Sequence, residues 1–280
     1  MKLLDGKLVK KEILKRIKKE VQELDRKPGL CVVQVGEDPA SCVYVSQKSK
    51  MANELGYKFK HIKLDGDVEQ EKLEETIIKL NRDKTIDGIL VQMPLPKHLD
   101  SKKIQNLIRD DKDVDGLSDI NAGRLVHNVD CLMPCTPKGI MDILKHYKID
   151  VEGKRVVIVG RSDLVGKPLA SMMINAHATV TLCHSRTKNL EKITKKADIL
   201  VAAVGKKGII TKEMVKNRCV IVDVGINRVD GKIYGDVDFD IVKDKASYIT
   251  PVPGGVGQMT VAELGSNVLK AYKMHEEKNS

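Results

Sequence analysis

Several residues in this chain have types and spacings that could do chemistry. Tyr44 and Lys48 stand four apart, hence on one face of a helix, and Val43, Val45 and Met51 mark that face as bordering a core. A lysine desolvated there loses basicity and can exchange protons with a substrate near neutral pH. The alternative is a solvated lysine beside a packed tyrosine. Gln92 is a polar group near the end of the apolar run DGILVQMPLP, at the carboxyl end of a strand, where α/β folds place ligands. If buried, it needs a partner such as a lysine amine or a substrate amide.

A second group lies in VVIVGRSDLVGKP, residues 156–168. It reads as a buried strand, a glycine turn and a helix start, with Pro168 in the first turn and amides that can receive a phosphate. The G-x-G-x-x-G spacing is not matched, because Ser162 stands in place of the second glycine and Gly166 comes one residue late. The next strand ends in CHSRT, without the carboxylate that holds the ribose of NAD. Ser185 and Arg186, with Arg161 in the first turn, suit the 2′-phosphate of NADP instead. An α/β domain that holds no nucleotide stays open on these residues alone. So does the meaning of PVPGGVG, residues 251–257, which is either a connecting turn or backbone brought close to a ligand.

Other chemistries fail on spacing. Five residues separate Gly160 from Gly166 where a P-loop has four, and Pro168 follows Lys167 where Ser or Thr would bind magnesium. Asp111, Asp113, Asp115 and Gly116 imitate an EF-hand loop, but Ala122 stands where its bidentate carboxylate belongs. Cys131 and Cys135 lack a second ligand pair for zinc, so no metal is expected.

The elements that position these groups alternate. Helices are predicted over 5–26, 40–55 (opened by Asp38 and Pro39), 69–81 and 101–108, with strands over 30–35, 58–64 and 87–93. Periodicity stops over 109–135, which reads as a long functional loop rich in Asp, Asn and Gly. Thr136 and Pro137 open a helix to 146. A second series then places strands at Val156, Val180, Ile199 and Val220, followed by a hairpin in INRVDGKIYGDVDF and a last helix over 260–275. The fold class is therefore α/β with parallel sheet, and 280 residues allow two domains. With only 3% aromatic residues and no Trp, aliphatic side chains must fill the cores.

The net charge of +10 is spread through nearly every segment, and its densest run, residues 7–19, is the solvated face of a helix whose apolar positions are Leu8, Ile13, Ile17, Val21 and Leu24. That disfavours nucleic-acid binding and suits anionic small molecules. Six cysteines without a C-x-x-C pair fit a reducing cytoplasm, and no apolar run has the length of a signal peptide or a membrane span.

Taken in order, VGEDPASCVYVSQKSKMANELG, DGILVQMPLP, KDVDGLSDINAGRL, PCTPKGI, VVIVGRSDLVGKPLA, CHSRT, DVGIN, GDVDF and ITPVPGGVGQMT resemble the bifunctional methylenetetrahydrofolate dehydrogenase/methenyltetrahydrofolate cyclohydrolase family. The resemblance covers essentially the whole chain. It implies a folate-binding catalytic domain over 1–120 and a Rossmann-type NADP domain over 121–280, the last helix packing back on the first domain, with a cleft between the domains and a homodimer. It implies that Lys48 handles the cyclohydrolase proton, that Gln92 bonds and tunes it, and that Tyr44 packs on the folate's ring. Asp115 would accept hydrogen bonds from the pterin, Gly160, Arg161, Ser162, Ser185 and Ile226 would contact NADP, and Pro253, Gly254 and Gly255 would lie along the folate. Gln258, where the family often has Pro, and Ser118 and Asp119, where His-Pro is frequent, depart from the pattern and put the loop conformations beside the folate in question.

Overall fold

The computed structural model describes residues 1–279. Its first half runs β1 (Lys2–Leu3), α1 (Gly6–Gln22), β2 (Gly29–Val35), α2 (Pro39–Leu55), β3 (Lys58–Leu64), α3 (Gln70–Arg82), β4 (Gly88–Val91), α4 (Ser101–Leu107), α5 (Asp119–Val126) and α6 (Cys135–His146). The second half runs β5 (Arg155–Val159), α7 (Gly166–Asn175), β6 (Thr179–Cys183), α8 (Leu190–Thr194), β7 (Ile199–Ala202), β8 (Cys219–Asp223), β9 (Asn227–Val229), β10 (Lys232–Tyr234), α9 (Phe239–Val242), β11 (Ala246–Ile249) and α10 (Met259–Asn279). Two compact units result: a first from residues 12–135 and Val261 onward, and a second from residues 1–11 and 136–260.

In the first unit, β3, β2 and β4 form a parallel sheet in that order. Every residue of the aliphatic β2 is buried, as a central strand covered on both faces requires. The edge strand β3 keeps Lys58, Lys60 and Lys63 exposed, which discourages pairing with a further strand. Cys31, Val33, Ile89 and Val91 pack against Leu73, Ile77 and Leu80 of α3 and Ile104 of α4. The Asp38 carboxylate accepts from the Ser41 amide at the start of α2, and Gly56, at φ 80°, ends the helix. Helix α10 joins this unit, where the Tyr57 hydroxyl donates to the Gly265 carbonyl at 2.8 Å.

The second unit holds a six-stranded, all-parallel sheet in the order β1-β11-β8-β7-β5-β6. Because β6 and β7 lie on opposite sides of β5, the carboxyl ends of β5 and β7 form the switch point at which such sheets bind ligands. The core beneath it includes Val157, Val159, Leu200, Ala202, Ile221, Met214 and Val242. Asp230 and Gly231, at φ 50° and 74°, make the two-residue turn of the predicted hairpin between β9 and β10.

Three features differ from the sequence reading. The loop over 109–135 contains α5, opened by the Ser118 hydroxyl accepting from the Asn121 amide. Strands β1 and β11 were not expected: they are short, and β1 is defined only by its pairing with β11. On α1 the buried positions are Val9, Ile13, Leu14, Ile17 and Val21, while Leu8 is exposed. Among the described residues no helix is long and apolar enough to cross a membrane.

Candidate active site

Helix α2 carries Tyr44 and Lys48 to the carboxyl end of β4. Lys48 is half-buried and its Nζ donates to Gln92 Oε1 at 2.7 Å. Gln92 is buried, and its Nε2 donates to the Met93 carbonyl at 2.6 Å, so the amide can present only its oxygen to the lysine. Burial lowers the affinity of Lys48 for its proton below that of an ordinary lysine, and the charge of Asp115 offsets part of this. Val45 and Met51 are buried as expected, but Val43 and Tyr44 are exposed. The turn carrying Tyr44 thus offers its ring as an open surface.

Asp115 reaches Lys48 because its loop is bound on both sides. Asp113, 2% exposed, accepts from the Gly116 amide with Oδ1 and from the Ser118 amide and Asn121 Nδ2 with Oδ2. Gly116 is at φ 68°, and a Cβ there would lie 2.4 Å from the Met133 carbonyl carbon, so the close approach of the two strands of chain requires glycine. Burial pushes the Asp115 carboxyl up, while Lys48 and a hydrogen bond with Cys135 draw it down. The three aspartates of the calcium-like run serve separate ends, since Asp111 pairs with Arg109 and Lys278 and Asp113 with amides. Among the described residues no three of His, Cys, Asp or Glu gather as a metal site would.

The irregular glycine spacing has a steric reason at the end of β5. Gly160 is at φ 126° with its Cβ position 2.1 Å from the Ala203 carbonyl oxygen, and a Cβ on Gly166 would lie 2.0 Å from the Gly160 oxygen. Backbone therefore lies against backbone at the switch point, and α7 begins there with its amides directed along its axis toward the turn. Ser162 closes the turn by accepting from the Val165 amide. Arg161, Ser162, Ser185 and Arg186 are exposed, and no carboxylate stands at the end of β6. Residues 184–187 form a turn in which the Thr187 amide donates to the His184 carbonyl. This cradle and donor set fit a dinucleotide with a 2′-phosphate. Ile226 is 53% exposed and reaches toward Gly257.

The glycine loop after β11 is bound to the start of the chain: the Gly6 amide donates to the Gly254 carbonyl at 3.0 Å, and a Cβ on Gly6 would lie 2.1 Å from the Gly255 oxygen. Gly254 and Gly255 are buried, whereas Pro253 is exposed. Of the departures from the family pattern, Ser118 caps α5, Asp119 bonds Asn106, and Gln258 closes a short turn by donating its amide to the Gly255 carbonyl.

Sequence reasoning missed a pair of buried carboxylates that shape the loops at the carboxyl ends of β7 and β8. Asp236 accepts from the amides of Val204, Gly205 and Lys206 and from Asn227 Nδ2. Asp223 accepts from the amides of Gly225, Asp236 and Val237, and burial raises its pKa to about 6. Their only signal was their place in DVGIN and GDVDF.

Residues 4–115 match the family model for the tetrahydrofolate dehydrogenase/cyclohydrolase catalytic domain, and residues 134–276 match the model for that family's NAD(P)-binding domain. The chain is 50% identical to the bifunctional protein FolD of Nitratiruptor sp. over 281 aligned residues, covering 99% of each. The crystal structure of the bifunctional FolD methylenetetrahydrofolate dehydrogenase/cyclohydrolase of Campylobacter jejuni superposes with a TM-score of 0.96 at 46% identity, over 98% of this chain and 99% of that one. The Trypanosoma brucei enzyme, solved with NADP cofactor and an inhibitor, superposes at 0.90 with 37% identity over 96% of each chain.

Proposed function

This chain belongs to the tetrahydrofolate dehydrogenase/cyclohydrolase family, and from that premise we propose that it oxidises 5,10-methylenetetrahydrofolate to the methenyl form with NADP+ and then hydrolyses that cation to 10-formyltetrahydrofolate. The observation that carries the reading is the 2.7 Å hydrogen bond between Lys48 and Gln92 beside the carboxyl of Asp115. NADP+, when bound, supplies the acceptor for the hydride that leaves the methylene carbon.

The rest of the chemistry falls to side chains of the first unit. Asp115 accepts from the amino-pyrimidine edge of the pterin, for which a two-oxygen acceptor is suited, and the exposed Tyr44 ring stacks on the folate's aromatic ring. Hydrolysis of the methenyl cation requires water to lose a proton as it adds to the carbon, the ring nitrogen to gain one as its C–N bond opens, and the new hydroxyl to release its proton to solvent as the formyl C=O forms. A lysine of lowered pKa can take the first and give it to the nitrogen, and the Gln92 oxygen holds its nitrogen in one direction while it does so. In the second unit, Gly160 and Ser162 receive the cofactor's phosphates, Arg161 and Ser185 its 2′-phosphate, and Ile226 flanks it. Pro253, Gly254 and Gly255 line the folate. The chain works as a cytoplasmic homodimer.

Lys48→Met tests the division of labour: methenyl hydrolysis should fall about 10²–10⁴-fold, the contribution of a positioned acid–base group, while NADP affinity stays unchanged. Hydrolysis at the wild-type rate in a folded variant would refute the role of Lys48.

A further inference from the structure

Asn267 sits on α10 among the buried side chains Leu264, Val268 and Ala271, and is itself 1% exposed. An amide in such a place is costly unless its hydrogens are used. Both are: Nδ2 donates to the Val114 carbonyl at 2.9 Å and to the Met133 carbonyl at 2.7 Å, and lies 3.7 Å from Cys135 Sγ. Val114 immediately precedes Asp115, and Cys135 is the thiol that bonds the Asp115 carboxyl. The two segments press together where Gly116 meets Met133. Asp113 shapes the turn locally through the amides of Gly116 and Ser118. Asn267 ties that turn, more than 150 residues away in the chain, to the segment holding Cys135.

We propose that Asn267 is a positioning residue for folate binding: it fixes the carboxylate of Asp115, and with it the charge facing Lys48, without touching substrate. The inference rests on the reading of Asp115 as the pterin's partner. With Asn267 replaced by an apolar residue of similar size, the part-buried Met133 carbonyl loses this donor, the Val114 carbonyl keeps only the weak Cys135 thiol at 3.6 Å, and the loops separate. Asp115 then meets the pterin less well. Lys48 loses the nearby negative charge that supports its protonated form, so its pKa falls further.

Asn267→Leu should raise the folate KM in both activities about tenfold, the equivalent of one to two net hydrogen bonds, with NADP affinity unchanged. The acid limb of the cyclohydrolase pH profile should move to lower pH, which a loss of packing alone would not cause. Asn267→Gln, keeping an amide, should recover part of the KM. If Asn267→Leu does not fold, Asn267→Ala, which removes both donors and adds no charge, is expected to show the same rise and the same shift. Asp115→Asn is the control. If it raises the folate KM while a folded Asn267 variant changes neither KM nor pH limb, Asn267 has no positioning role. If Asp115→Asn leaves the KM unchanged, the reading of Asp115 fails and this inference with it.

Discussion

Lys48 can accept a proton only while it is neutral, and burial brings that condition within reach by lowering its pKa from the ordinary lysine value. The sign is definite: protonation favoured by low pH removes the base, so cyclohydrolase activity should fall as pH drops through the lysine's pKa, with the limb lying below 10.5. A rate that is flat or falling as pH rises toward that limb would show that Lys48 is not the base. Arg161, exposed in the turn after β5, makes a separate prediction. Arg161→Ala should weaken NADP about tenfold in a fluorescence titration, a loss of one charge-assisted pair, and leave NAD unchanged. At this scale helical spacing and a lone polar residue at a strand end marked Lys48 and Gln92 separately, because those are local signals; that the two bond each other was implied only by the family resemblance, and the 2.7 Å contact joins them. The nearness of Asp115 to Lys48 was not a local signal. It depends on Asp113, Gly116 and Asn267 folding back a loop that shows no periodicity.

At the scale of elements, Asp223 and Asp236 hold the turns that follow β7 and β8 through six backbone amides, one of them the Asp236 amide donating to Asp223. The folded Asp223 carboxyl keeps its proton up to about pH 6, against an ordinary value of 3.8. Its contribution to stability is therefore full below pH 3.8 and is lost as pH rises to about 6. Asp223→Asn, which cannot titrate, should be destabilised most at pH 4. Its deficit relative to wild type in urea unfolding should shrink by up to about 3 kcal/mol by pH 7. A deficit that grows with pH would contradict the assigned burial. The alternation of strands and helices was legible because each period fits its element, as at β2, α2 and β3. The hairpin was legible from Asp230-Gly231. Helix α5 was hidden among turn-forming residues, although Ser118 and Asp119 are a helix start in retrospect. Strand β1 has two residues, too few for a pattern to show, and β11, Ala-Ser-Tyr-Ile with its two middle residues half-exposed, lacks the continuous apolar run that marked β4 and β7.

At the scale of the whole molecule, each compact unit is assembled from two separate parts of the chain. One unit takes residues 12–135 and those from 261 onward, the other residues 1–11 and 136–260; the resemblance implied domains over 1–120 and 121–280, with the last helix packing back on the first. The bonds from Asn267 to Val114 and Met133 join distant residues of one unit and leave no mark on composition. The candidate folate residues Tyr44, Lys48, Gln92 and Asp115 lie in one unit, and the candidate cofactor residues Gly160, Arg161, Ser162, Ser185 and Ile226 in the other. The central claim is that one chain performs both reactions with NADP. It is tested most directly by giving the purified protein 5,10-methylenetetrahydrofolate with NADP+ or NAD+ and following reduced cofactor and formyl product together. The account predicts faster reduction with NADP+ and formation of 10-formyltetrahydrofolate. No reduction of either cofactor, or reduction without formyl product, would contradict it.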